Sequence, residues 1–219
     1  MTHAFIPLRS GSKSIKDKNI KKLNGQPLCY WAIKACQESN KIDKVVVAVD
    51  SISYGKIISD FNFNKIEIYY RSEVNSQDKS SSESVMLEYI NQSQISLDST
   101  FILVQATSPH IQTNEINEMI TLKETDNCDI VSCVRLKRFI WNKKGVPYNY
   151  NICERPRRQD FLGLLVENGA VYISTVNKIL DSGTRISGKI QVYEMSENSF
   201  FEIDEEKDFL ISELLMRVK

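Results

Sequence analysis

Two short stretches of opposite charge, near opposite ends of the chain, carry residue types suited to phosphate chemistry. The first reads Arg9-Ser10-Gly11-Ser12-Lys13-Ser14 and continues through Lys16, Lys18, Lys21 and Lys22. Residues 9–22 thus hold six cations and one acid, Asp17. A Gly/Ser loop leaving a strand can turn successive backbone N–H groups toward phosphate oxygens. Arg9 can fork onto two such oxygens and the lysines add point charges, so a triphosphate is a matching ligand. The spacing is not that of a Walker A loop, and a merely solvated basic loop would have the same composition. The second stretch is Glu202-Ile203-Asp204-Glu205-Glu206-Lys207-Asp208. If 201–204 is extended, Glu202 and Asp204 share a face, because side chains alternate along a strand. Two carboxylates beside bound phosphates suit Mg²⁺, a hard cation. The competing reading is a helix start, with Asp204 as N-cap and acids favoured in the first turn.

Two further stretches are polar where the chain leaves apolar runs. Gln105-Ala106-Thr107-Ser108-Pro109 offers an amide and two hydroxyls that can orient a polar ligand. Alternatively, Ser108 or Thr113 caps the helix that follows. Arg157-Arg158-Gln159-Asp160 precedes Asn168-Gly169-Ala170, which reads equally as a polar loop, a turn and a strand.

The elements that must position these residues follow from periodicity. Strands are predicted at 3–8, 44–49, 66–70, 100–104 and 129–134, and helices at 28–36, 52–61, 82–91 and 115–122. This alternation predicts an α/β fold in three layers, a mostly parallel central sheet with helices on both faces. Ligands of such sheets sit beyond the carboxyl ends of the strands. Residues 135–165, with Trp141, Lys143-Lys144-Gly145-Val146-Pro147 and several Tyr and Asn, break the rhythm and read as a β-hairpin or extended arm. Strands resume at 170–174 and 190–193, and 206–218 closes the chain as an amphipathic helix. A length of 219 residues suits a single domain, 1–219.

Composition excludes several functions. Basic and acidic residues balance at 28 each, so neither nucleic acid nor an anionic membrane is expected as a partner. The apolar run at 4–8 is too short for a signal peptide, and no stretch approaches the ~20 apolar residues of a membrane span. Five cysteines without a C-x-x-C pair, and two histidines, argue against a disulfide framework or a zinc site. The expectation is a cytoplasmic protein with reduced thiols.

Taken together and in order, these segments resemble the acylneuraminate cytidylyltransferase family, the CMP-sialic acid synthetases. The resemblance runs through residues 6–19, Arg71, Asp78 with Ser80-Ser81-Ser82, residues 105–109, Arg157-Arg158-Gln159-Asp160, residues 168–173 and residues 202–209. It implies a Rossmann-like nucleotide-diphospho-sugar transferase fold and a homodimer whose protruding arm, 135–165, reaches the partner. It implies that CMP passes from CTP to the anomeric 2-hydroxyl of a nine-carbon 2-keto sugar acid with Mg²⁺ as cofactor. N-acetylneuraminate and related nonulosonic acids such as legionaminate belong to that class. Carried over by residue, Arg9, Lys13 and Lys18 resemble triphosphate contacts, with Ser12 between them. Asn19, Arg71, Ser80, Ser81 and Ser82 resemble the surroundings of cytosine, ribose and α-phosphate. Gln105 resembles the residue that orients the sugar acid, with Thr107, Ser108, Arg158, Gln159, Asn168 and Tyr172 in the matching substrate segments. Glu202 and Asp204 occupy the metal-carboxylate positions, and Arg9, Lys13, Lys18 and Asp204 form the implied catalytic set. The chain departs from the family pattern at Ser14 (usually Gly), Ala106 (commonly Pro), His110-Ile111 (commonly Leu-Arg), Val166 (often Arg) and Glu202 (usually Asp).

Overall fold

The computed structural model describes residues 1–11, 14–77 and 79–218. Strand β1 (Thr2–Pro7) is followed by a small hairpin of β2 (Lys22–Leu23) and β3 (Gln26–Pro27), which leads into α1 (Leu28–Glu38). Then come β4 (Lys44–Val49), α2 (Ile52–Ser59), β5 (Ile66–Tyr70), α3 (Ser82–Gln92), β6 (Thr100–Val104), α4 (Thr113–Asp126) and β7 (Asp129–Leu136). After a long excursion the chain forms β8 (Leu164–Thr175), α5 (Val176–Ser182), β9 (Ile190–Glu194) and α6 (Glu206–Arg217).

Alternation along the central strands creates the three layers. Ala4 and Ile6 of β1, Val45 and Val47 of β4, and Ile102 and Val104 of β6 enter one core, shared with Ile33 of α1, Ile58 of α2 and Met119 of α4. Phe5, Val46, Ala48 and Phe101 enter the other, shared with Met86 and Tyr89 of α3 and Ile179 of α5. Burial on both faces explains why these strands read as continuous apolar runs. Each such fully buried Val, Ile or Phe contributes about 1.5–3 kcal/mol. A third, smaller cluster joins Ile15 of the basic loop to Leu23, Leu28, Ile203 and Phe209. It packs the two ends of the chain together.

Seven strands make one sheet in the order β5-β4-β1-β6-β8-β7-β9. β8 runs antiparallel to β6 and β7, and the remaining pairs are parallel. The sheet grows from β1 outward through β4 and β5, then reverses to β6 on the other side. That reversal opens a crevice at the carboxyl ends of β1 and β6, where α/β sheets bind ligands.

Several boundaries differ from the sequence expectation. Arg135 and Leu136 pair with Leu165 and Leu164 in the β7–β8 ladder, so the excursion from the sheet is 137–163 rather than 135–165. Leu164, Leu165 and Glu167 are exposed, which hides the first half of β8 from a search for buried runs. The seven-residue α5 is too short for a clear helical period, although Gly183 closes it at φ 69°. The excursion has an aromatic centre of its own. Phe139 lies 4.5 Å from Tyr150 and 4.6 Å from Phe161, ring to ring, with the Arg155 guanidinium 4.4 Å over its face. A bridge between Trp141 and Pro147 closes a turn in which Asn142 Oδ1 accepts from the Lys144 and Val146 amides.

The excursion rejoins the sheet at Gly163, φ 71°, where an added Cβ would meet the Leu136 carbonyl oxygen at 2.5 Å. A backbone contact of that kind cannot swing aside. Gly163→Ala is therefore expected to cost more than ~1 kcal/mol through strain alone. The check is a lower midpoint in urea unfolding.

Candidate nucleotide and metal site

The carboxyl ends of β1, β4 and β6 build the site. The Ala48 carbonyl at the end of β4 accepts from the Leu8 amide at 2.8 Å. It also accepts from Arg71 Nε at 3.1 Å and Nη2 at 2.9 Å. Burial pulls the Arg71 guanidinium down to about 10, while the charges of Asp50 and Glu88 oppose that fall. Beyond Leu8, the Arg9 carbonyl accepts from Asn19 Nδ2 at 3.0 Å, and the Ser10 amide donates to the Asp50 carboxylate. Asp17, at φ 52°, starts the 3₁₀ turn that carries Lys18 and Asn19.

The basic and acidic stretches meet directly. Lys18 Nζ donates to the Ile203 carbonyl at 2.7 Å and to Asp204 Oδ1 at 3.1 Å. Fully buried Ile203 anchors the acidic segment in the third core, so the residues on either side of it face away from that core. Thr107, after β6, holds the same segment at two points. Its carbonyl accepts from the Ile203 amide at 2.8 Å, and its hydroxyl donates to Glu202 Oε1 at 2.7 Å.

Beside these contacts lies a cleft of about 390 Å³, whose lining includes Asp204 and Thr107 but not Glu202. Arg9, Lys18, Asn19 and Arg71 line its basic side, and Ser80, Ser81 and Ser82 line the start of α3. Gln105, Thr107 and Asp204 complete it. Ser81 caps α3 by accepting from the Ser84 amide at 3.1 Å, so the positive end of that helix opens on the cleft. The Ser80 hydroxyl donates to the Val74 carbonyl at 2.9 Å. Ser12, Lys13 and Asp78 lie outside the described residues.

Helix capping does not account for Asp204. The N-cap of α6 is Glu205, which forms a capping box with Asp208. Asp208 Oδ2 also accepts from the Asp204 amide at 2.9 Å. The Asp204 carboxylate therefore points to Lys18 and to solvent. The helix after residues 105–109 is capped by Gln112 with Glu115, not by Ser108 or Thr113.

The donor set suits a hard divalent cation. Burial raises Glu202 above the usual glutamate range and the neighbouring Asp204 charge adds to the rise, while Thr107 and Lys18 oppose it. A cation between two such carboxylates would relieve that repulsion. Among the described residues no cluster of three or more acidic, His or Cys groups forms. A cation held here would have Glu202 and Asp204 as candidate protein ligands, a number that suits Mg²⁺ where phosphates and water complete the shell.

Other expected site residues do not reach this cleft. Ser108 is buried, its amide closing a turn onto the Gln105 carbonyl. Arg158 and Gln159 are exposed on the excursion, and Arg158 borders a second cleft of about 620 Å³ with Arg135, Lys137, Arg138, Phe200 and Phe201. Asn168 is buried and its amide is spent internally. Its Oδ1 accepts from the Ser132 hydroxyl at 2.7 Å, and its Nδ2 donates to the Ser199 carbonyl at 3.1 Å. Tyr172 lies in the second core, its hydroxyl donating to Glu167 and its ring 4.7 Å from the Arg185 guanidinium. Both side chains are held by hydrogen bonds within the fold. Asp50 was missed as a site neighbour. Its signal was an acid placed directly after a buried strand.

Residues 3–214 match the family model described as Cytidylyltransferase. The chain belongs to the cytidylyltransferase family. It is 35% identical over 218 residues to N-acylneuraminate cytidylyltransferase A of Danio rerio, covering 96% of this chain and 49% of that protein. It is 33% identical over 219 residues to N-acylneuraminate cytidylyltransferase B of the same organism, covering 96% and 50%. The chain thus spans about half the length of these curated relatives. Its fold is similar to that of a CMP:2-keto-3-deoxy-manno-octonic acid synthetase complexed with CTP. The TM-score is 0.70, at 14% identity, over 100% of this chain and 99% of that one.

The raised Glu202 of this family member has a measurable consequence. An acid whose folded value lies above its unfolded value favours folding while protonated. That advantage is present at low pH and lost as pH rises through the folded value. Glu202→Gln stays neutral and can still accept from Thr107. It should melt at a higher temperature than the parent near neutral pH, with the gap closing toward pH 4.5, the ordinary glutamate value. Melting curves across that range read the effect directly.

Proposed function

We propose that the chain transfers CMP from CTP to the anomeric 2-hydroxyl of a nine-carbon 2-keto sugar acid of the sialic acid type, releasing pyrophosphate. The observation that carries this reading is the convergence of Arg9, Lys18 and Arg71 with Asp204 on one cleft at the sheet reversal. The names of the relatives at 33% and 35% identity support the nine-carbon acid. The structural neighbour named for an octonic acid, at 14% identity, supports the fold alone.

In this reading the 2-hydroxyl gives its proton to water, its oxygen bonds to the α-phosphorus, and the bond from that phosphorus to the bridging oxygen breaks, its electron pair leaving with pyrophosphate. Phosphoryl-type transfer depends on positioning and charge stabilisation. Arg9 and Lys18 hold the triphosphate and stabilise charge developing on the leaving group. Arg71 and residues 80–82 bound the nucleoside side, and Gln105 orients the sugar acid. Glu202 and Asp204 would hold Mg²⁺, which supplies charge screening between phosphate oxygens and the incoming hydroxyl.

The exposed apolar residues of the excursion, Trp141, Tyr148, Ile152 and Leu162, support a homodimer formed through this arm. Light scattering should give about twice the 25.2 kDa chain mass, and a monomer at micromolar concentration would argue against the arm's role. No helix among the described residues is long and apolar enough to cross a membrane.

Two substitutions test the catalytic assignments. Because Glu205 and Asp208 cap α6, Asp204→Asn should fold normally yet lose CTP turnover at every Mg²⁺ concentration. Retained turnover would remove Asp204 from the mechanism. Lys18→Ala deletes a charge-assisted contact worth about 1.5–3 kcal/mol, so kcat/KM for CTP should fall by about tenfold or more.

A further inference from the structure

Both polar groups of one peptide unit, the one joining Arg9 to Ser10, are taken up by side chains. Asn19 Nδ2 donates to the Arg9 carbonyl at 3.0 Å. On the other side, the Ser10 amide donates to Asp50 Oδ1 at 3.0 Å and to Oδ2 at 2.8 Å. The Ser10 hydroxyl adds a bond to Oδ2 at 3.1 Å. Asn19 lines the cleft, whereas Asp50 stands behind it, half-buried, one residue beyond β4.

A peptide plane in a Gly/Ser loop can turn over and present either its carbonyl or its amide to a ligand. Bonds at both ends forbid that rotation here. The plane matters because the Arg9 side chain, which lines the cleft, leaves from one end of it. Hydrogen bonds to an ionised carboxylate are about twice as strong as neutral ones. Asp50 also acts on the side chains in front of it. Its charge favours the Arg71 cation, which the charge of Arg9 opposes. One carboxylate thus fixes the peptide and offsets repulsion between two arginines of the cleft.

We propose that Asp50 is a positioning residue for nucleotide binding. It holds the Arg9–Ser10 peptide and balances Arg9 against Arg71, so this wall of the cleft is set for phosphate oxygens before a ligand arrives. Preorganisation of this kind improves affinity by lowering the cost of ordering the site. The proposal rests on the reading of the cleft as a CTP site.

Calorimetric titration of the full chain with CTP and Mg²⁺ tests it, together with KM, kcat and thermal melting for the parent, Asp50→Asn and Asp50→Ala. The parent comes first, and absence of CTP binding there defeats the nucleotide reading and this proposal with it. Where the parent binds, Asp50→Ala should weaken CTP affinity by about tenfold or more. Asp50→Asn keeps one acceptor for the Ser10 amide without the charge and should lose less. KM for CTP should rise with the loss of affinity, while kcat changes less. A merely structural Asp50 would lower the melting temperature and leave the CTP affinity of the folded variant at the parent value. That result overturns the proposal while leaving the nucleotide reading standing. If the alanine variant does not fold, the asparagine variant, equal in size, decides by the same criterion.

Discussion

The carbonyl oxygen of Ala48 accepts from the Leu8 amide and from two nitrogens of Arg71. This junction ties the ends of β1 and β4 to a guanidinium rooted just beyond β5. The cleft depends on it because the cations gathered on one wall, Arg9, Lys18 and Arg71, repel one another. The chain carries 28 basic and 28 acidic residues, yet the described basic residues of this cleft face one carboxylate among its lining, Asp204. Backbone acceptors absorb much of the problem. Ala48 takes Arg71, and the Ile203 carbonyl takes Lys18. Hydrogen bonds to backbone carbonyls hold a cation in place without cancelling its charge, which leaves that charge available to an anion.

A second constraint brings the two ends of the sequence together. Ile15 follows the basic loop and Ile203 sits inside the acidic segment, and both are buried in the same small cluster with Leu23, Leu28 and Phe209. Apolar burial, which has no direction of its own, therefore places opposite charges within reach. Thr107 supplies the direction through its carbonyl and its hydroxyl. The buried amide of Asn168 steadies the same region, linking β7, β8 and the turn that ends near Phe200. Fold and site share these contacts, so damage to one reaches the other.

Much of this was legible in the sequence. β4 and β6 are apolar on both faces, and β5 is a short Ile- and Tyr-rich edge strand, so all three fall where periodicity places them. The first half of β8 was not legible, because its leucines are exposed and it has no buried apolar residue until Ala170. Asp204 was ambiguous between metal ligand and helix cap. The hydrogen bonds of Glu205 and Asp208 remove only the cap reading, which sequence alone could not do because it cannot place a cap within one residue. Tyr172 and Asn168 sit in motifs that resemble the family's, yet their polar atoms are directed inward. Asp50 shows the reverse case. Nothing marks it beyond its place after a strand, and its partner Ser10 lies 40 residues away.

The central claim is that this cleft joins a cytidine nucleotide to a sugar acid. Pyrophosphate release by the purified chain tests it most directly, with CTP or UTP, Mg²⁺, and a panel of eight- and nine-carbon 2-keto sugar acids. The account predicts release that requires CTP together with a nine-carbon acid. No release with any acid, or equal release with the eight-carbon acids, would contradict it.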